Sequence, residues 1–187
     1  VNDGTDSPTI DAADPADAYV TETSPNGARA NLGSYGNTAE ASKTVITLKT
    51  WTNATGDLNW YTAGNWSPAG VPGLTNAVVV DRTETVAVSA SSPPVTFAGL
   101  RLGGANAPTL NISTGIAAGA GWLEVLSGAT FQQDSTQTLR VTSATVFSGG
   151  LLTHTSNPAG NVRVYSLNLV TSGDFTLNAG ATISVNG

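Results

Sequence analysis

Cysteine and methionine are both absent from this 187-residue chain, and charge is scarce, with Asp, Glu, Lys and Arg together only 11% of it. Without cysteine there can be no disulfide and no thiolate metal site, so stability must come from packing and hydrogen bonds. Without an initiating methionine the sequence reads as a processed or excised piece of a longer protein, with any signal peptide already removed. No apolar run approaches the roughly 18 residues of a membrane span. The seven basic residues are scattered singly among thirteen acids, for a net charge of −6. That argues against a nucleic-acid partner, because phosphates require clustered Lys and Arg. What is abundant is Thr, Ser, Asn, Gly and Ala. A cytosolic domain carries about twice this charge, and a polar, weakly ionic composition suits a secreted β-protein.

Composition divides the chain. Residues 1–44 are acidic and rich in turn-formers, with Asp3, Asp6, Asp11, Asp14, Asp17 and Glu22 ahead of a stretch where only Leu32 and Tyr35 are large and apolar. Pro25, Gly27, Gly33 and Gly36 exclude a helix there, and only 38–43 could make one helical turn. Residues 45–81 hold three of the four tryptophans, Trp51, Trp60 and Trp66. Beyond them, apolar–polar–apolar triplets recur: Leu100-Arg-Leu102, Leu110-Asn-Ile112, Leu123-Glu-Val125, Leu139-Arg-Val141, Leu167-Asn-Leu169 and Phe175-Thr-Leu177. Each alternates with period two, the mark of a strand with one buried face. Ser127-Gly-Ala-Thr-Phe131 is echoed by Ala179-Gly-Ala-Thr-Ile183. Short self-similar strands with small-residue corners predict an all-β fold of the parallel β-helix or β-solenoid kind, in which each coil buries its apolar face on its neighbours. A β-sandwich is the alternative. The expected division is a loop-rich cap-like segment over 1–44 and a β-domain over 45–187.

Two resemblances follow. Ser7-Pro-Thr-Ile-Asp-Ala-Ala-Asp-Pro15, with Ser24-Pro-Asn-Gly27, Arg29, Asn31, Gly33, Tyr35-Gly-Asn-Thr38 and Ala41-Ser42, resembles the C-terminal end of bacterial right-handed parallel β-helix repeat proteins. Ala13 departs from the glycine usual there. The resemblance implies that 7–43 covers the open end of a coil, with Leu32 and Tyr35 as an apolar plug and Arg29 paired to a nearby aspartate. Thr50-Trp-Thr52, Asn65-Trp-Ser-Pro-Ala-Gly-Val-Pro72 and Val78-Val-Val-Asp81 are similar to segments that open β-rich regions of large secreted bacterial multidomain proteins.

Candidate sites are sparse. His154 is the only histidine, with no acid within ten residues of it, so neither a zinc set nor an acid–base pair is legible. Asp3, Asp6 and Asp11 supply oxygens at spacings a calcium ion could use, without the later Glu of an EF-hand loop; calcium is the one cofactor suggested. Trp51, Trp60, Tyr61 and Trp66 offer either an aromatic platform for a glycan or a seal at the start of the β-domain. From position 86 onward the only acids are Glu124, Asp134 and Asp174, which form no evident carboxylate pair for glycoside hydrolysis. The expected function is a non-enzymatic structural segment of a large secreted bacterial protein, at the cell surface or in an extracellular fibre or adhesin. It is expected to self-associate head to tail, residues 1–44 contacting the β-domain of a neighbour. A carbohydrate-binding module and a polysaccharide-processing β-helix protein are the competing readings.

Overall fold

The computed structural model describes residues 7–23, 26–27, 29–89, 94–113, 121–158 and 163–185. Among them there is no α-helix; one 3-10 turn, Ala63–Asn65, interrupts an otherwise all-β chain. The described residues of 7–44 carry turns and no strand. The first strands are β1 (Thr47–Trp51), β2 (Trp66–Ser67), β3 (Asn76–Val80) and β4 (Thr85–Val88). Then come β5 (Gly99–Leu102), β6 (Thr109–Ile112), β7 (Trp122–Val125), β8 (Thr130–Gln133) and β9 (Leu139–Val141). The last are β10 (Ser143–Val146), β11 (Leu151–Thr153), β12 (Leu169–Thr171), β13 (Phe175–Leu177) and β14 (Thr182–Ser184).

One sheet runs β13-β10-β7-β5-β3-β1-β2, a second runs β14-β11-β8-β6-β4, and β12 pairs with β9. Every strand-to-strand pairing among the described residues is parallel except β1 with β2. This is not the antiparallel pairing of a β-sandwich. The reason lies in the connections: β3 leads to β4, β5 to β6, β7 to β8, β10 to β11 and β13 to β14, and each step leaves one sheet for the other. A short connection that changes sheets cannot make a hairpin, so neighbours in a sheet come from successive passes and point the same way.

The register explains the triplets. In the first sheet Val78, Leu100, Leu123 and Ala144 align, as do Leu102, Val125 and Val146 two residues on. In the second, Val86, Leu110, Phe131 and Leu152 align. All of these are buried in one apolar cluster, together with Val95 and Phe97. The intervening residues, such as Arg101 and Glu124, face outward. Each column stacks one side chain on the next at the roughly 4.8 Å strand spacing, which is why a three-residue apolar–polar–apolar word suffices to make a rung.

Three corners share one construction. Ala129, Gly150 and Ala181 donate their N–H to the carbonyls of Leu126, Phe147 and Asn178, closing tight turns. Their third residues, Gly128, Gly149 and Gly180, have φ of +77°, +79° and +83°, the type II position that favours glycine. The corners also stack: Gly128 N–H donates to Gly149 O and Gly149 N–H to Gly180 O, both at 2.9 Å. The echo between residues 127–131 and 179–183 is this corner.

Candidate functional site

The tryptophans sit at the head of the stack, beside the first strands. Trp51 extends the inward column of β3, and its ring meets Trp66 edge to face at 4.9 Å; Trp60 meets Trp66 in the same way at 4.7 Å. All three are buried in the core cluster, with Tyr61 packed against it. They therefore cannot serve as an exposed glycan platform. Large rings have the area to close an apolar cross-section, and here they close it. The Trp66 Nε1–H donates to Trp60 O at 2.8 Å, and Trp51 Nε1–H donates to Glu84 at 3.0 Å. Burial raises the Tyr61 pKa.

The loop that carries these rings is ordered by Asn65, itself fully buried. Its Oδ1 accepts from the Thr55 N–H (3.1 Å) and hydroxyl (2.6 Å), and its Nδ2 donates to Asp57 (2.5 Å) and Asn59 O (3.1 Å). Asp57 also accepts from the Thr62 hydroxyl at 2.5 Å and the Asn59 N–H at 3.0 Å. Those bonds, the Thr62 hydroxyl foremost, hold its pKa at about 2. The same loop covers the edge of the second sheet: Trp60 N–H donates to Ala87 O at 2.9 Å and Ala87 N–H to Leu58 O at 2.8 Å. On the first sheet, β2 covers Thr50 and Trp51 of β1.

In residues 7–44 the large apolar side chains do not plug a coil of this chain: Leu32 is 53% exposed and Tyr35 66%. Arg29 donates to the carbonyl of Ala13. The segment is organised by polar groups instead. Buried Glu22 accepts from the N–H of Asn31 (2.8 Å) and of Asn37 (2.7 Å). Asp11 accepts from the Thr44 hydroxyl at 2.7 Å, and its N–H donates to Asn31 Oδ1 at 2.8 Å. Asp11 thus serves the loop; Asp3 and Asp6, the other suggested calcium ligands, lie outside the described residues. Among the described residues no group of three or more His, Asp or Glu could hold a metal ion, and no helix is long and apolar enough to cross a membrane.

Sequence reasoning missed the best-connected acid. Asp134 accepts from the Thr155 N–H (2.6 Å) and hydroxyl (2.9 Å), Gln132 Nε2 (2.7 Å) and Asn111 Nδ2 (3.0 Å). Burial pushes its carboxyl up, but these bonds outweigh burial and leave the pKa below the usual range. Beside it, fully buried Gln133 accepts from Asn168 N–H at 2.8 Å and donates to Gln137 O at 2.6 Å. The two residues pin Thr155 and Asn168 to β8 and the turn after it. His154 is no part of this set of bonds; its Nδ1 lies 2.7 Å from Thr155 O. Glu124 is bound to Arg101 at 2.7 Å on the outer face.

Two features remain unspent. Trp122, the fourth tryptophan, lies on the outer face against Gly99, where an added Cβ would meet its indole. Its position before Leu123-Glu-Val125 gives the outward parity, which was readable. The tail of the stack is the other. β13, β14 and β12 each end their sheet. Phe175, Leu177 and Ile183 align with buried Ala144, Val146 and Leu152, so they occupy inward columns. They are nevertheless 42%, 47% and 41% exposed, with Val170 and Val185 exposed nearby. No family model, curated protein or solved structure matches the chain.

Proposed function

We propose that this chain is a β-solenoid segment with a structural, non-enzymatic role in a large secreted bacterial protein, displayed at the cell surface or in an extracellular fibre or adhesin. One observation carries the reading: five successive strand pairs, each passing from one sheet to the other, stack in parallel register, as the repeats of a modular rod do. The three acids of the strand region support it. Glu124 is ion-paired, Asp134 is occupied by four hydrogen bonds, and Asp174 opens the exposed last rung. Incubation with a panel of bacterial and plant polysaccharides should give no reducing ends and no unsaturated products; turnover of any would overturn the proposal.

A second reading, glycan binding, draws on Trp122 alone. Its indole lies along the outer sheet, in the neighbouring outward column to Arg101 and Glu124, an aromatic surface with charged donors and acceptors within reach of a sugar ring. A glycan array that gives signal with the chain and loses it with Trp122→Ala would favour this reading over the structural one.

A further inference from the structure

We infer that Thr155 and Gln132 join through a self-formed ester bond, the Thr155 hydroxyl displacing ammonia from the Gln132 side-chain amide. The bond gives a chain without cysteine a covalent tie between β8 and the segment that follows β11. Three groups that meet on the outer face of the second sheet point to it. Gln132 lies in register between Asn111 and Thr153, and its Nε2 is 2.9 Å from Thr155 Oγ1. Asp134 Oδ2 is 2.9 Å from the same hydroxyl and 2.7 Å from the same Nε2. One carboxylate oxygen therefore touches both the nucleophile and the group that must leave.

The reactants are held in place. Thr155 gives its N–H to Asp134 Oδ1 at 2.6 Å, and its carbonyl lies 2.7 Å from His154 Nδ1, so each of its polar atoms is engaged. The amide carbon of Gln132 is one C–N bond of about 1.33 Å beyond Nε2, which puts it no more than about 4.2 Å from Thr155 Oγ1. A turn about the soft terminal torsion of Gln132 closes this to the roughly 3–3.5 Å of a near-attack pair. In the reaction the Oγ1–Cδ bond forms and the Cδ–Nε2 bond breaks. Asp134 takes the hydroxyl proton and passes it to Nε2, which departs as ammonia, and the carboxylate is regenerated. Burial opposes ionisation of Asp134, but its hydrogen bonds outweigh burial, so it is a carboxylate at neutral pH and free to accept that proton. Amides resist free alcohols, yet oriented groups reach effective concentrations of about 10⁵–10⁸ M, and a placed acid–base group adds about 10²–10⁴-fold. The bonds from the Thr155 N–H and Asn111 Nδ2 to Asp134 survive the change. The event happens once per chain and takes no outside substrate.

Intact-mass spectrometry of the purified chain decides the matter. After incubation at neutral pH the chain should be lighter than its sequence by one ammonia, and digestion should yield a branched peptide joining residue 132 to residue 155. Thr155→Val should keep the full mass, and Thr155→Ser, which restores a hydroxyl, should lose ammonia again. Asp134→Asn should slow the loss about a hundredfold or more, with a circular dichroism spectrum like that of the parent. A parent chain that keeps its full mass overturns the inference. So does an ammonia loss that persists in Thr155→Val or maps to an asparagine, or conversion of Gln132 to glutamate, in which water rather than Thr155 has attacked. Polysaccharide turnover, by contrast, bears on the proposed structural role and leaves the ester standing.

Discussion

Replacing Trp66 by alanine removes the ring that joins Trp51 to Trp60 at the head of the stack. Deleting a buried Trp side chain costs about 3–5 kcal/mol through lost transfer energy and the cavity left behind. Edge-to-face contacts at 4.9 and 4.7 Å disappear with it, each worth about 0.5–1.5 kcal/mol. Trp60 O also loses its donor. Because mutational values already contain part of these contacts, the expected total is about 5 kcal/mol, a large share of the roughly 5–15 kcal/mol that stabilises a domain. With a urea dependence of about 2–3 kcal/mol per molar, the unfolding midpoint should fall by about 2 M. Circular dichroism is the suitable signal, since the substitution removes a fluorophore. Trp66→Phe, which keeps an aromatic ring but not the N–H, should lose less than half as much. A Trp66→Ala midpoint within about 0.3 M of the parent would mean that the rings do not seal the stack, and the reasoning would fail.

Three further outcomes are expected. The folded-state pKa of Asp57, about 2, lies below its ordinary 3.8, so its stabilisation is complete above about pH 4 and is lost as pH falls towards about 2; Asp57→Asn should flatten the fall in melting temperature over that window. Asp134→Ala strands the N–H and side-chain donors of Thr155, Gln132 and Asn111, and a loss of about 2 kcal/mol should lower Tm by about 4–8 °C in calorimetry. Gly99→Ala places a methyl group where the Trp122 indole lies, so the fold should persist while Trp122 emission shifts to the red and becomes more accessible to acrylamide; unchanged emission would refute the described packing.

How much of this was written locally in the chain varies with the interaction. Leu100-Arg-Leu102 and Leu123-Glu-Val125 announced their strands because period two is a local property; the same parity was enough to place Trp122 outside, but that reading was not drawn. The direction of pairing was not local. It depends on where the chain goes after each corner, so parallel and antiparallel sheets shared one pattern until the pairings were seen. The tryptophans were ambiguous for a related reason: an aromatic cluster reads alike whether its neighbours are solvent or Val80 and Val86. Leu32 and Tyr35 misled most, since being the only large apolar residues in a polar stretch suggested burial, yet Glu22 and Asn31 hold that stretch together. Asn65, Gln133 and Asp134 were invisible because their partners, up to 35 residues away in the case of Gln133 with Asn168, are gathered only by the fold.

The column of left-handed glycines has a consequence for how this molecule tolerates change. At Gly128, Gly149 and Gly180 the passage between sheets is fixed in length and locked to the corner beside it. One added residue there would reverse the parity of the strand that follows and turn its apolar side chains to solvent. The passage from β11 to β12 obeys no such rule: Thr153 reaches Ser184 O 31 residues on, whereas Arg101 reaches Glu124 after 23. The extra residues fall between Thr153 and Leu169, and the pairings of β11 with β14 and of β9 with β12 are kept. The chain thus keeps a spine of constant pitch on one side and a margin open to growth on the other, and foreign peptides grafted into the margin would be presented at intervals that the spine dictates.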